Sequence, residues 1–354
     1  MALTQVQSGI LADSTQTYGM KNRIINGAMV IDQRNAGASG TAIGYTVDRW
    51  QFNSSLDTKG TWQQNAGSVT PPSGYVNYLG FTSNSAYSVP AGELFTFQQR
   101  IEGNNVADLA WGTANAKTVT LSFWVYSSLT GTFGGTLRNG AGNRSYPFSY
   151  TISSANTWEQ KSITIAGDTT GTWLTTNGIG IIVTLSLGTG STFSGTAGSW
   201  SANNFTSATG ATSVVGTNGA TFYVTGVQLE VGSTATAFDN RSYGTELQLC
   251  QRYCTVKNGY SMVLGGRYTT NLVYFSQQLP VQMRAVPTVS APSGWSILNT
   301  TASETSSAST LNSVIPYFFG GNVDIVINSS FNPAAYIYSV TSTPTSNVTF
   351  SAEL

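Results

Sequence analysis

Histidine is absent from all 354 residues, and with it go the commonest general base and the commonest zinc ligand. Ser-His-Asp, Cys-His and His-based metal chemistry are thereby excluded. Charge is scarce: 8% of residues are Asp, Glu, Lys or Arg, where about 25% is usual for soluble proteins. The 15 basic and 15 acidic residues cancel, and no Lys/Arg run supplies the electrostatic footprint of a nucleic-acid binder. Nucleic acid is therefore not an expected partner. No stretch approaches the ~20 continuous apolar residues of a membrane span, so membrane insertion is not expected either. The opening MALTQVQSGILADSTQTYGM has neither a basic leader nor an apolar run of signal-peptide length, which predicts synthesis and assembly in a cytoplasm. Cysteine is limited to Cys250 and Cys254. One helical turn apart, they have poor geometry for a bridge and read as reduced core residues.

What is there favours strands. With so few charges, the polar surface must be built from Ser, Thr, Asn, Gln and Gly. Thr and the aromatics fit pleated sheets, and the 38 glycines with the asparagines supply turns. Such a surface also suits neutral sugars, which are held by hydrogen bonds and aromatic faces. Alternation is countable at Val119, Leu121, Phe123 and Val125 in VTLSFWVY, and at Ile179, Ile181, Val183, Leu185 and Leu187 in GIGIIVTLSL. RWQFNSS, YVNYLGFTS, ELFTFQQRIE and WEQKSITI add further strands between turn clusters,. Strands without intervening helices predict an all-β fold, a jelly-roll-like β-sandwich of antiparallel sheets. The length exceeds one sandwich, so two domains are expected.

At TFYVTGVQLEVGSTATAFDNRSYGTELQLCQRYC, residues 221 to 254, the period changes. Alternation through Tyr223, Val227, Leu229 and Val231 gives way to a three- and four-residue recurrence of Leu247, Cys250 and Cys254. Thr245-Glu246-Leu247-Gln248 fits a capping box, which predicts a helix start within two residues of Thr245. The expected organisation is an arm at 1–22, a sandwich at 23–243, a connector helix at 244–254 and a second β domain at 255–354. That second domain resumes at YSMVLGG and NLVYFSQQL and is interrupted by the polar run NTTASETSSASTLNS.

Candidate binding residues fall in irregular segments. Trp200 lies in the Gly/Ser/Thr/Asn-rich stretch from Gly188 to Gly219, a length of loop that is often functional. It either stacks on a pyranose face, with the Asn203 and Asn204 amides taking hydroxyls, or folds back over the sandwich edge. Trp295 and Tyr317 sit in turn-rich parts of the second domain, as receptor contacts or as small-domain core. Trp50, Trp124 and Trp158 read as core or intersheet residues. Arg138 and Arg144 in RNGAGNRSY either present two cations to an acidic sugar or belong to a solvated hairpin tip. Glycan hydrolysis needs two carboxylates about 5 to 9.5 Å apart. Glu93, Glu102, Asp108, Asp168 and Glu230 are the available acids, and no spacing pairs any two, so the chain reads as a non-enzyme.

Five phrases in order, NRIINGAMVIDQRNAG with VDRW, QQRIEGNNVADLAWGTANAKTVTLSFWVYS, FYVTGVQLEVGSTATAFDNRSYGTELQLCQRYC, QLPVQMRAVPTVS and the terminal FSAEL, resemble a family of bacteriophage tail fibre and minor virion structural proteins. Its members carry a carbohydrate-binding-module-like β domain. The resemblance covers nearly all of the chain after residue 22. It implies a structural component of the virion, assembled in the host cytoplasm among other phage tail or capsid proteins. Its leading role is then a tail fibre that recognises a bacterial surface glycan. A capsid-decorating, head-fibre or adaptor protein is the alternative, and a glycan depolymerase a third. It also implies a homotrimer. Leu247, Cys250 and Cys254 then face a threefold axis, or else bury within one chain. No cofactor is implied beyond a structural calcium ion of the kind such modules often carry; the metal ligands are not identifiable, and no EF-hand pattern is present.

Overall fold

The computed structural model describes residues 20–257, 263–269, 272–290, 295–299, 302–308, 310–315, 322–328, 337–342 and 347–354. The chain is all-β with one α-helix among those residues, and it divides into two compact units. The first comprises residues 1–30, 37–46 and 50–241, and the second comprises 31–36, 47–49 and 242–354. Two short pieces of the early chain therefore belong with the later unit, a division that the continuous domains expected from the sequence do not include. The arm expected at 1–22 lies mostly outside the described residues.

The first unit is a jelly-roll-like sandwich of two antiparallel sheets. One sheet runs β1 (Gly44–Tyr45), β2 (Trp50–Ser54), β5 (Leu94–Glu102), β10 (Ile179–Thr189), β7 (Gly131–Asn139), β8 (Ser145–Ile152). The other runs β3 (Gly60–Gln64), β4 (Leu79–Ser83), β13 (Thr221–Val231), β6 (Val119–Ser127), β9 (Glu159–Ile165). Alternation sets what lies between them. Val119, Leu121, Phe123 and Val125 are fully buried, as are Val183, Leu185 and Leu187. Aromatic rings meet across the gap: Phe52 and Phe81 lie 5.6 Å apart, Phe123 and Tyr150 5.0 Å, Phe133 and Phe222 6.0 Å. Full burial of each such side chain contributes about 1.5–3 kcal/mol.

Residues 22–29 are tied into this sandwich by buried amides that stand in for a strand neighbour. The Gln99 side chain donates to the Ile25 carbonyl at 2.8 Å and accepts from the Ile25 N–H at 2.9 Å. Asn22 does the same with Val227 and Leu229 of β13. Strand β13 bulges between Thr225 and Gln228, where Gly226 takes φ +60 and an added Cβ would meet the Tyr75 ring at 2.6 Å. Trp50 is core, as expected. Trp124 instead points away from the sandwich interior, opposite to Phe123 and Val125. Trp158, which precedes β9, is half-buried and packs against a buried cluster of Ala66, Tyr78 and Tyr223, meeting the rings of Tyr78 and Tyr126.

In the second unit, helix α1 spans Tyr243–Gln251. It starts within two residues of Thr245, but its cap is Ser242, whose hydroxyl accepts from the Thr245 N–H at 3.4 Å,. It is also shorter than expected. Cys254 is not on it: Arg252 closes the helix and Cys254 opens β14 (Cys254–Lys257). The buried residues of this segment are Glu246, Cys250, Tyr253 and Cys254, while Leu247 is half-buried. Both cysteines are free thiols. A three-stranded sheet runs β14, β23 (Val348–Ser351), β17 (Thr288–Ser290).

A seven-stranded sheet runs β19 (Ala302–Ala308), β18 (Trp295–Asn299), β22 (Ile337–Ser342), β15 (Val263–Thr269), β16 (Leu272–Gln278), β21 (Asn322–Asn328), β20 (Thr310–Ile315). The polar run expected to interrupt this unit therefore forms β19 and β20. Ser/Thr-rich chain without Pro pairs as readily as it turns once partner strands are present.

A buried charged cluster lies within the second unit. Glu353 takes Arg34 at 2.8 Å and also Arg49, Arg284 donates to the Glu353 carbonyl at 2.8 Å, and the Arg49 guanidinium stacks 3.6 Å from the centre of the Tyr253 ring. Burial raises the Asp48 carboxyl above its usual value despite the nearby Arg34 charge.

Candidate functional site

The outer face of the six-stranded sheet is polar. Residues whose neighbours fill the core turn their own side chains the other way, and register aligns them into rows. One row crosses from β2 to β7 as Gln51, Gln98, Thr184 and Thr136, and the next carries Arg100, Ile182 and Arg138. Hydrogen bonds join these rows. The Gln98 amide donates to Gln51 Oε1 at 2.7 Å, and Arg138 donates to Gln98 Oε1 at 3.2 Å and to Asn204 Oδ1 at 2.7 Å. Gln98 is fully buried, Gln51 and Arg138 are half-buried, and Asn204 is exposed. The Thr136 and Thr184 hydroxyls, cross-strand neighbours, are buried and make no hydrogen bond among the described residues. A buried hydroxyl left so costs about 1–3 kcal/mol.

Asn204 reaches this face because residues 190–219 form a strap along β7 and β8. Ser145 and Ser201 exchange backbone hydrogen bonds at 3.0 and 2.8 Å, the Ser145 hydroxyl donates to the Asn203 carbonyl at 2.7 Å, and Thr212 N–H donates to Thr132 at 2.7 Å. Within the strap, β11 (Ser194–Gly195) pairs in parallel with β12 (Ser207–Ala208). Gly134 permits the approach, since a Cβ there would stand 2.6 Å from Ser207 Oγ and 2.8 Å from the Ala208 nitrogen.

Trp200 closes one end of the strap. Its indole N–H donates to the Ala166 carbonyl at 2.8 Å, and its ring meets Trp111 at 5.3 Å, Trp173 at 5.4 Å and Tyr146 at 5.2 Å, all edge-to-face,. Beside them Arg144 grips Asp168 through two hydrogen bonds of 2.7 and 2.6 Å. Burial alone would raise the Asp168 carboxyl, but the Arg144 fork and the Thr170 N–H and hydroxyl outweigh it and hold it below its usual value. Trp200 thus folds back over the sandwich end.

No family model and no curated protein matches the chain. Among solved structures it is similar to TmCBM61 in complex with beta-1,4-galactotriose, at 11% identity and TM-score 0.30 over 60% of this chain and 100% of that one. It is similar to the family 11 carbohydrate-binding module from Clostridium thermocellum, at 13% identity and TM-score 0.28 over 57% and 99%. It is also similar to the enzymatically active domain of bacteriophage CBA120 tailspike protein 4, at 12% identity and TM-score 0.33 over 60% of this chain and 22% of that one. At such identities none of the three says what this chain binds.

Of the residues singled out by sequence, Trp200, Asn203 and Asn204 share the strap; Asn203 meets the sheet through its carbonyl, which accepts from Ser145, and Asn204 through its side chain, which accepts from Arg138. The exposed Asn203 amide donates to Ser201 Oγ at 3.2 Å. Trp295 opens a strand, β18, with its backbone paired to Ala308 and Ser342; Tyr317 lies outside the described residues. Arg138 and Arg144 do not act together, because Arg144 is neutralised by Asp168. Arg138 faces Arg100 instead, and burial followed by the Arg100 charge lowers its guanidinium to about 10.

The acids are committed elsewhere: Glu93 accepts from Tyr87, Glu102 from Asn104, Asp108 from Arg23, and Glu230 from Gln228 and Thr236. No cluster of three or more Asp, Glu or Cys side chains able to hold a metal ion occurs among the described residues. Gln51, Gln98, Arg100 and Thr184 do not stand out in the sequence, because strand alternation marks outward positions only as solvent-facing. Their convergence depends on a strand order, β2-β5-β10-β7, that no local spacing encodes.

Proposed function

We propose that this protein is a bacteriophage tail fibre whose first unit holds a bacterial surface glycan on the outer face of its six-stranded sheet. The observation that carries the binding role is the hydrogen-bonded series Gln51, Gln98, Arg138, Asn204, which crosses from β2 to the strap at a partly exposed surface. Sugars are bound through such convergent amide and guanidinium groups. The placement in a virion rests on the five phrases that resemble tail fibre and minor virion proteins. A homotrimer makes weak sites useful, because tethered copies raise the effective concentration at a cell surface without new contacts. Half-buried Leu247 of α1 supplies its candidate contact, whereas Cys250 and Cys254, expected beside it, are buried within the chain.

The test is a glycan array that includes host lipopolysaccharide, probed with the wild type and with Gln98→Ala. Binding by the wild type that falls in the variant is expected. No binding to any glycan, with the protein seen on the capsid of intact particles by microscopy, selects the decorating or adaptor role instead. Sugar release on prolonged incubation selects a depolymerase.

A further inference from the structure

Five of the ten arginines of this chain are neutralised by a carboxylate. Arg23 meets Asp108, Arg34 and Arg49 meet Glu353, Arg144 meets Asp168, and Arg241 meets Asp239. Arg138 departs from this pattern. Its hydrogen-bond partners are two neutral amides, Gln98 and Asn204, its Nε is buried without a partner, and the like charge of Arg100 stands in register with it across Ile182. Confining a guanidinium beside another of the same sign costs stability unless an anion is supplied. Fork geometry makes a compact oxyanion the matching group. Asn204 is exposed, so its hydrogen bond to Arg138 is exchangeable for one from a ligand.

We infer that the outer face of the six-stranded sheet takes an acidic sugar, with the carboxylate of a uronic or sialic acid or a sugar phosphate seated against Arg138 and Arg100. This rests on the glycan-binding reading and specifies its ligand class. The scarcity of charge elsewhere on the protein leaves this pair as a local attraction, effective at short range and weakened by salt.

The experiment is isothermal titration of the full chain with oligogalacturonate, sialyllactose and phosphomannan, and with carboxyl-reduced oligogalacturonate as the neutral counterpart, at 0.05 and about 0.5 M NaCl. Expected are preference for at least one acidic probe, about tenfold to a hundredfold weaker binding in Arg138→Gln, and weakening at high salt. Which acidic probe binds separates carboxylate from phosphate. The variant Asn204→Asp changes an exposed residue and supplies an internal carboxylate to Arg138, so it should raise Tm while blocking the acidic probe.

Equal binding of the acidic and neutral oligosaccharides, unaltered in Arg138→Gln, overturns the acidic specificity and leaves glycan binding standing. Failure of every acidic probe overturns it as well, and the glycan array then decides whether the broader reading falls too. An Asn204→Asp variant with unchanged Tm and unchanged affinity also overturns it.

Discussion

Replacing Glu353 with Gln keeps the shape of the side chain and removes one charge from the buried cluster of the second unit. Arg34 and Arg49 converge on this carboxylate, with side chains 15% and 1% exposed, and Glu353 itself is 7% exposed. Removing one partner of a buried ion pair costs about 3–5 kcal/mol, because the remaining charge stays dehydrated. Asp48 stands 3.9 Å from Arg34 and keeps a carboxylate near that guanidinium. Arg49 keeps its stacking contact with the Tyr253 ring. The expected loss is therefore at the low end, about 3 kcal/mol, or a fall in Tm of roughly 12 °C or more for a unit of this size. Differential scanning calorimetry of the full chain reads it as a shift in the transition of the second unit. A double-mutant cycle with Arg49→Met should show coupling of about 1–3 kcal/mol. A loss below about 1 kcal/mol, or full additivity in the cycle, would refute the claim that this contact holds the unit together.

Asp168 supplies a pH signature for the first unit. Its folded value lies below the unfolded one of about 3.9, so its stabilisation is fully present above that pH and disappears as pH falls through the folded value,. Asp168→Asn should lower Tm at pH 7 and flatten the dependence of Tm on pH below about 4; equal losses at pH 7 and at about 2.5 would contradict this. Burial pushes the Cys250 thiol well up, and the Cys254 thiol up to about 12. Neither should react with a disulfide reagent such as DTNB at pH 8 until the protein is unfolded, and rapid modification of the native protein would place them at the surface. Leu247→Lys brings three like charges together if α1 lies at a threefold axis, so light scattering should find a trimeric wild type and a dissociated variant. A monomeric wild type rules out the assembly, and a variant still trimeric moves the contact elsewhere.

Local pattern carried much of the first unit. The alternation of Val119, Leu121, Phe123 and Val125 is a consequence of the strand's own geometry, and all four are core. The helix start was equally local, although the nearer hydroxyl, Ser242, took the cap that Thr245 was expected to provide. The end was not legible: Cys254 continues the helical spacing, yet backbone pairing with Ser351, far along the chain, draws it into a strand. Likewise the polar residues from Ala302 to Ile315 look like a linker in isolation and pair once β18 and β21 are beside them. The candidate site divides along the same line. Asn204 could be picked from its loop, but its partner Arg138 lies 66 residues away, and Gln98 a further 40 from that. Nothing in a row of outward-facing Thr, Gln and Arg announces that the fold will put them side by side.

The central position of β23 has a consequence for how the protein is made. Residues 348–351 lie between β14 and β17, and Glu353 just beyond them meets Arg34, 319 residues earlier. A nascent chain therefore carries β14 with one pairing edge unsatisfied through the synthesis of about ninety further residues, a wait of roughly 5 to 20 seconds on the ribosome,. The first unit is complete by residue 241 and free to fold in that interval, whereas the sheet of β14, β23 and β17 can close only after β23 has been translated. A chain released before residues 348–353 are made would carry a folded sandwich attached to an open sheet edge, a form that cellular proteases are well placed to recognise and remove.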